Sequence, residues 1–269
     1  MEQLSFKVVG IGAETRDTFF VVPEFSPEES VAEAAAYAED LGGPVATALA
    51  VLRAHGHECV LVDSEPARAV ILVRQRDGAR QIVFMPSEAP EPFFEPQMLD
   101  DVRLLHINGR HENACRAAIR AAQAQGVEIS FDGGAGRFRE PVRDLFEASH
   151  LRIISRDFAE KAAGCHELAK MAEKLLQPPA RLLVITDGTR GSHVWARDGV
   201  HFHQPAFTAV PLVDTTGCGD VFHGAFLHGW LSKWPLERCA EHAARLAAWN
   251  AEGLGGRHVL RMLLRQTPG

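Results

Sequence analysis

Apolar positions along the chain fall into short compact runs that alternate with longer stretches of helical period. Residues 6–11 form one such run, ending at Gly10-Ile11-Gly12, and predict a buried first strand. A second strand-like run covers residues 18–22. Residues 28–40 are rich in alanine and read as helix on propensity. Gly42-Gly43-Pro44 ends that stretch. Pro44 is well placed to open a helix through about residue 55, with Ala48, Leu49 and Leu52 on one face. A strand at 58–62 follows, and runs at 69–74 and 81–85 flank Asp77-Gly78, a hairpin signal. Residues 86–96 carry four prolines and read as loop. Beyond them, strands at 102–107, 127–131, 151–154 and 182–186 alternate with helices at 113–125, 140–148 and 166–176. A second hairpin covers 193–196 and 200–203, then come an apolar helix to about residue 234, a helix at 235–252 and a loop at 253–257. Strand–helix alternation of this kind predicts a parallel sheet with helices on both faces.

The 269 residues, 46% of them hydrophobic, suffice for a large α/β core. A formal net charge of -7 argues against a nucleic-acid or anionic-membrane partner. No apolar run is long enough to span a bilayer, and residues 1–7 lack the basic start and apolar core of a signal peptide. Five scattered cysteines without a C-x-x-C pair read as reduced thiols, so a cytoplasmic location is expected.

The chemistry concentrates in Val213-Asp214-Thr215-Thr216-Gly217-Cys218-Gly219-Asp220, just before the apolar helix. Free backbone N–H groups and the positive end of the helix dipole favour an anion there. Asp220 falls in the first turn beside that anion, where a carboxylate can take the proton of an attacking hydroxyl. Asp, Thr and Gly also start ordinary helices, so the longer run carries more than Asp220 alone. Cys218 invites the thought of a thiol acidified by the anion-binding turn; its use as a small residue supplying an N–H is the simpler reading. His55-x-His57 and His201-x-His203 have a same-face spacing on a strand that suits a metal, but nothing else clusters with them, so they read as solvated histidines. Residues 132–137 follow a strand and read equally as a phosphate contact or a flexible loop, with Asp132 a candidate for a metal–water network. A G-x-G after the first strand raises a dinucleotide site, but Thr15 stands at the third glycine position, and no Walker-type phosphate loop occurs.

The D-T-T-G-C-G-D run and the helix after it resemble the signature of ribokinase-type (PfkB) carbohydrate kinases. Other segments follow in that family's order: Gly12 to Asp17, the Gly42-Gly43 turn, Thr186-Asp187-Gly188-Thr189-Arg190-Gly191, and Asn250 with Gly253. Leu105 to Arg110 and Ile154 to Asp157 are most similar to the ketohexokinase-like and sulfofructose-kinase-like branch. The resemblance implies one ribokinase-like α/β domain over residues 1–269, a three-layer sandwich with a mostly parallel central sheet. It also implies a small β lid from about 18–41 and 69–85, with residues 28–40 largely extended despite their propensity. It implies phosphoryl transfer from ATP with Mg²⁺ to a sugar hydroxyl, of a ketose or ketose derivative, and no resident metal site. Asp220 would be the base, and the N–H groups of Gly217, Cys218 and Gly219 the anion hole. Asp17, Gly42, Gly43, Thr47 and Arg110 would serve the substrate. Thr186, Gly188, Gly191, Thr216, Asn250 and Gly253 would border the nucleotide. A lid with an apolar face predicts a homodimer that pairs lids.

Three departures from the family pattern stand out. Pro44 and Thr47 replace the usual Asn, the N-x-x-E segment reads Arg156-Asp157-Phe158-Ala159, and the stretch between residues 62 and 69 lacks the usual helix and strand. Two alternatives therefore accompany the sugar-kinase reading: a nucleoside or vitamin kinase of the same superfamily, which a stacking Phe19, Phe20 or Tyr37 would favour, and a catalytically silent ligand-binding relative.

Overall fold

The computed structural model of the chain describes residues 5–26 and 31–264. In chain order its elements are β1 (Lys7–Ile11), β2 (Thr15–Val22), β3 (Ala36–Gly42), α1 (Pro44–Ala54), β4 (Glu58–Val62), β5 (Ala67–Arg74) and β6 (Arg80–Met85). They continue with β7 (Val102–Ile107), α2 (Glu112–Gln125), β8 (Glu128–Gly133), α3 (Arg143–Glu147), β9 (Leu151–Ser155), α4 (Arg156–Ala163), α5 (Leu168–Leu175) and β10 (Leu182–Thr186). The chain closes with β11 (Ser192–Ala196), β12 (His201–Gln204), α6 (Cys218–Leu231), α7 (Leu236–Asn250) and α8 (Leu260–Leu263).

Eight strands form one sheet in the order β12-β11-β10-β9-β8-β7-β1-β4. The pairs from β4 to β10 are parallel, and β11 and β12 add an antiparallel edge. Successive residues point to opposite faces, and both faces are apolar. Val9, Leu105, Ile129, Phe131 and Ile185 join one core with residues of α2 to α5. Val8, Leu104, Ile153 and Val184 join the other core with residues of α1, α6 and α7. Each buried side chain of this kind contributes about 1.5–3 kcal/mol relative to exposure, so the two cores together fix the three layers.

A second sheet has the order β3-β2-β5-β6, with β2 and β5 parallel and the outer pairs antiparallel. Phe19, Ala69, Ile71 and Val73 are buried on one of its faces, against Leu254. The expected boundaries shift here. β2 begins at Thr15, because Thr15 pairs with both Gly42 and Ala67. Asp17 therefore lies on a strand and not in a preceding loop. The propensity helix over residues 28–40 is not formed where the structure describes it: residues 31–35 have no regular structure and β3 follows. Residues 28–30 lie outside the described residues. Pairing with β2 overrides alanine's helix preference.

The structure adds a helix where the sequence reading has none. α4 follows β9 directly, with Ser155 Oγ accepting the Phe158 N–H at 3.2 Å as a cap and Gly164 closing it in the left-handed conformation. The expected helix over 140–148 is split into a 3-10 turn, Glu140–Val142, and α3. Among the described residues no helix is long and apolar enough to cross a membrane.

Candidate active site

Two helix N-termini open the site. α1 is capped by Gly43 at φ 91 and α6 by Gly217 at φ 74. Both angles favour glycine, and space forbids anything else. A Cβ would stand 2.1 Å from Ala13 O at Gly43 and 2.1 Å from Gly256 O at Gly217. The turn before α6 is held from behind. Asp214 is fully buried, and its carboxylate accepts the Thr216 N–H at 2.8 Å and the Gly255 N–H at 3.1 Å. Asn250, also fully buried, donates to Thr216 O at 2.9 Å and Gly256 O at 3.3 Å, and accepts the Val259 N–H at 3.1 Å. Its carboxamide thus ties the turn to the 253–259 loop, and Asn250 borders a ligand only through the loop it shapes. Gly253 packs beneath His258, whose Nδ1 lies 2.0 Å from where a Cβ would stand. Gly219 is exposed, with open space around it. Helix geometry leaves the first N–H groups of α6 without intrahelical partners; that of Cys218 makes a long contact with Thr215 O at 3.5 Å.

Cys218 does not carry an acidified thiol. Burial pushes it up to about 12, so its neutral form dominates and a covalent role has no support.

Asp220 sits half-buried in the first turn of α6. Burial is the main cause that raises its carboxyl above the ordinary range; Arg137, His223 and Arg80 oppose the rise and Asp132 adds to it. Asp132, at the end of β8, is 1% exposed and has no hydrogen-bonded side-chain partner. Arg137 Nη1 stands 3.6 Å from its Oδ2 and His223 Nε2 3.5 Å from its Oδ1. Burial alone would raise Asp132, but the charges of His223, Arg137 and His106 prevail and hold it low. Arg80 reaches in from the smaller sheet, donating to Thr215 O at 3.0 Å and Thr215 Oγ1 at 2.7 Å.

On the other side of the turn lie Asp17, Gly42 and Thr47. Asp17 is 6% exposed and its Oδ1 has no partner. Burial raises its carboxyl to about 6, with Asp40 and Asp220 contributing. Gly42 ends β3 directly above it, where a Cβ would stand 2.0 Å from Asp17 Oδ2. Arg257 binds this side together. It donates to Thr47 Oγ1 at 3.1 Å and Gly42 O at 3.0 Å, and pairs with Glu14 at 3.3 Å. Its backbone N–H donates to Asp40 at 3.1 Å.

Thr186 ends β10, and Gly188 and Gly191 flank the short turn after it. Asp187, just before Gly188, pairs with Arg190 at 2.6 Å and Arg156 at 2.9 Å, and these two cations hold it low. Arg110 follows β7, with its guanidinium 5.5 Å from the Phe84 ring of the smaller sheet. The expected residues therefore gather at one end of the main sheet, beyond the carboxyl ends of its parallel strands, where ligands of open α/β sheets bind.

A profile of the pfkB family carbohydrate kinases matches residues 49–261. The chain belongs to this family. The ATP-dependent ribose-1-phosphate kinase of Halopiger xanaduensis is 27% identical over 179 residues, 60% of this chain and 54% of that relative. Fructokinase-2 of Zea mays is 28% identical over 191 residues, 63% of this chain and 56% of that protein. The chain spans about half the length of the curated relatives it matches. The crystal structure of ribokinase from Cryptococcus neoformans var. grubii serotype A in complex with ADP is similar with a TM-score of 0.77 at 19% identity, covering 98% of this chain and 100% of that one. The fold is thus ribokinase-like.

For a pfkB-family chain, the sequence reading leaves out three residues around Asp220 and Asp17: Arg80 reads as a turn residue, Arg257 as tail loop and His223 as part of a helix, whereas Arg137 falls in the segment read as a candidate phosphate contact. A polar residue three positions after Asp220, on the same side of a mostly apolar helix, was the available signal for His223. The His55-x-His57 pair is also corrected: His57 is 4% exposed and bonds to His228 at 2.9 Å. His201 and His203 are exposed, as expected.

Proposed function

We propose that this chain is an ATP-dependent carbohydrate kinase that moves the γ-phosphoryl group of MgATP to a sugar hydroxyl, with a ketose or ketose derivative as acceptor. The observation that carries this reading is Asp220, which stands at the open N-terminus of α6 and lies electrostatically between Asp17 on one side and Asp132 with Arg137 on the other. A carboxylate between a hydroxyl-binding acid and an anion-binding turn suits phosphoryl transfer. Asp220 takes the proton of the acceptor hydroxyl as its oxygen attacks the γ-phosphorus. The bond to the β-phosphate oxygen breaks, and ADP leaves. The N–H groups of Gly217, Cys218 and Gly219 stabilise the charge on the moving group.

Asp17 holds acceptor hydroxyls through its unpartnered oxygen, with Gly42, Gly43 and Thr47 shaping the wall. Arg110 neutralises phosphate. Thr186, Gly188, Gly191 and Thr216 line the nucleotide side, and Asn250 and Gly253 hold its border. Magnesium arrives with the nucleotide as part of that substrate; among the described residues no cluster of three or more His, Cys, Asp or Glu is arranged to hold a metal.

The nucleoside alternative would use a stacking ring from β2 or β3. Phe19 is fully buried in the small core, whereas Phe20 packs on Tyr37 at 5.4 Å. Strand alternation sets Phe20 and Tyr37 on the face opposite Asp17, while Phe19 shares Asp17's face but is packed into the small core. This favours a sugar.

The smaller sheet is read as a lid on a single ribokinase-like domain. Its outer face exposes Tyr37, Val70, Val83 and Met85, which supports a homodimer that pairs lids; a monomer by light scattering at micromolar concentration would refute it. Five free thiols fit a cytoplasmic location.

The test is ADP release from MgATP across ketoses, sulfosugars, aldoses, sugar acids and nucleosides. Fast turnover with a ketose is expected. Asp220→Asn should lower it by ~10²–10⁴-fold, the usual contribution of a general base. Tight ligand binding with no turnover on any acceptor would favour the silent relative.

A further inference from the structure

The buried ring of His223 has a hydrogen-bond arrangement that decides its charge. It is 3% exposed and lies one turn beyond Gly219 on α6. Its Nδ1 stands 2.7 Å from Gly219 O and its Nε2 2.8 Å from Ile153 O. Both partners are backbone carbonyls, which only accept. A neutral imidazole has one N–H and would leave two lone pairs facing each other at the second contact. Only an imidazolium satisfies both. Its charge has a counter-ion in reach: Asp132 Oδ1 lies 3.5 Å from Nε2, an ion-pair distance, and that carboxylate makes no side-chain hydrogen bond, its other neighbour being Arg137 Nη1 at 3.6 Å.

The neighbouring imidazole shows the contrast. His106, on β7, has its ring 6.0 Å from that of His223. Its Nδ1 meets Ser130 Oγ at 3.2 Å, a hydroxyl that can donate or accept, and its Nε2 is buried without a partner. Nothing there requires a second proton. Burial first, then the charge of His223, pushes His106 down to about 3. Of two adjacent buried imidazoles, the geometry charges one. The other ionisable groups around this point are Asp132 at the end of β8, Arg137 after it, Asp220 on α6, and Arg80 of the smaller sheet.

We infer that His223 is a positioning residue held as an imidazolium, which keeps Asp132 ionised and sets a fixed positive charge behind Asp220. Its Nδ1–H also anchors the carbonyl of Gly219, so the ring holds the anion-binding turn and the base in one frame. The catalytic part of this inference rests on the kinase reading; the charge state does not.

Two measurements test it separately. In protein labelled with ¹⁵N-histidine at about pH 7.5, both ring nitrogens of His223, assigned from the α6 backbone, should resonate as protonated N–H groups in slow exchange. An unprotonated ring nitrogen would overturn the inference whatever the protein catalyses. With an acceptor that turns over, His223→Gln removes the charge and keeps one donor. The acid limb of kcat/KM should then move up by about one pH unit, with KM for MgATP changed less than about threefold. Adding Asp132→Asn in that background removes the uncompensated carboxylate and should move the limb back. An unmoved limb in a folded His223→Gln protein, or a double variant that behaves as two independent losses, would reduce His223 to a helix-packing residue.

Discussion

The two ends of α6 carry the same kind of side chain in opposite electrical states. At its N-terminal end, His223 donates to two carbonyls beside Asp132, and Asp220 stands among Arg137, Arg80 and Asp132. At its C-terminal end, His228 bonds to His57 at 2.9 Å, and its ring lies 4.2 Å from His55 and 6.0 Å from His242. Trp234 meets His228 edge-on at 5.0 Å. Burial is the main cause that pushes His57 to about 4, His228 to about 3 and His242 to about 4, and neighbouring imidazoles and Arg238 add to it. A histidine paired with a histidine needs an acceptor nitrogen, so protonating both breaks the bond. A histidine facing carbonyls and a carboxylate needs the proton. The same residue type therefore serves charge at one end of the helix and packing at the other, and the partner decides which.

The largest effect should come from exchanging the two ends' failures. Asp220→Asn is expected to lower turnover by ~10²–10⁴-fold with no loss of melting temperature, since burial raises the carboxyl and the neutral amide removes that cost. His228→Leu should reverse this, costing about 2 kcal/mol of stability and leaving kcat within about twofold. Paired calorimetry and kinetics would check both; a His228 variant that loses turnover without losing stability would collapse the distinction.

The next effect is a pH dependence of stability from the packed end alone. His57, His228 and His242 sit below their ordinary value of 6.5 in the folded chain. The unfolded chain then binds their protons first. The stability they contribute is complete above about pH 6.5 and falls as pH drops toward about 4, by about 3 kcal/mol once mutual coupling is allowed for. Urea unfolding between about pH 7 and pH 4.5 should show that slope, and His228→Leu should flatten it. A slope unchanged in the variant would assign acid sensitivity elsewhere.

Much of this was legible in the sequence because periodicity and punctuation are local. Strand Glu58–Val62, strand Val102–Ile107 and strand Leu182–Thr186 follow from compact apolar runs, and α6 from its glycine-rich start. What was not legible depends on distant partners. Propensity alone reads the 28–40 stretch as helix; the family resemblance implied it extended, and residues Ala36–Gly42 form β3 by pairing with β2. α4 was hidden because Ser155-Arg156-Asp157 attracts attention as a motif, although Ser155 and Gly164 are ordinary caps. Asn250 looks like a ligand residue, yet its carboxamide is spent on Thr216, Gly256 and Val259. Arg257 meets Thr47 across 210 positions of chain, and no local pattern announces such a contact.

The smallest of these effects belongs to Asp17, which behaves like neither end of α6: a carboxyl with one satisfied oxygen and one waiting. Burial raises it from 3.8 to about 6, a shift equivalent to about 3 kcal/mol. A raised folded value means that the folded chain holds the proton longer. Its contribution is therefore complete below about pH 4 and is lost as pH rises through about 6. Asp17→Asn keeps the shape without the charge. It should match the native protein in stability below about pH 4 and exceed it by about 2 kcal/mol above about pH 7, allowing for the lost bond to Thr15. The gain should come with loss of acceptor binding, because the unpartnered Oδ1 is the atom that a sugar hydroxyl would satisfy. Saturating acceptor should then raise the melting temperature of the native protein and leave that of the variant unmoved. If both shift equally, Asp17 is a buried strand residue and not an acceptor contact.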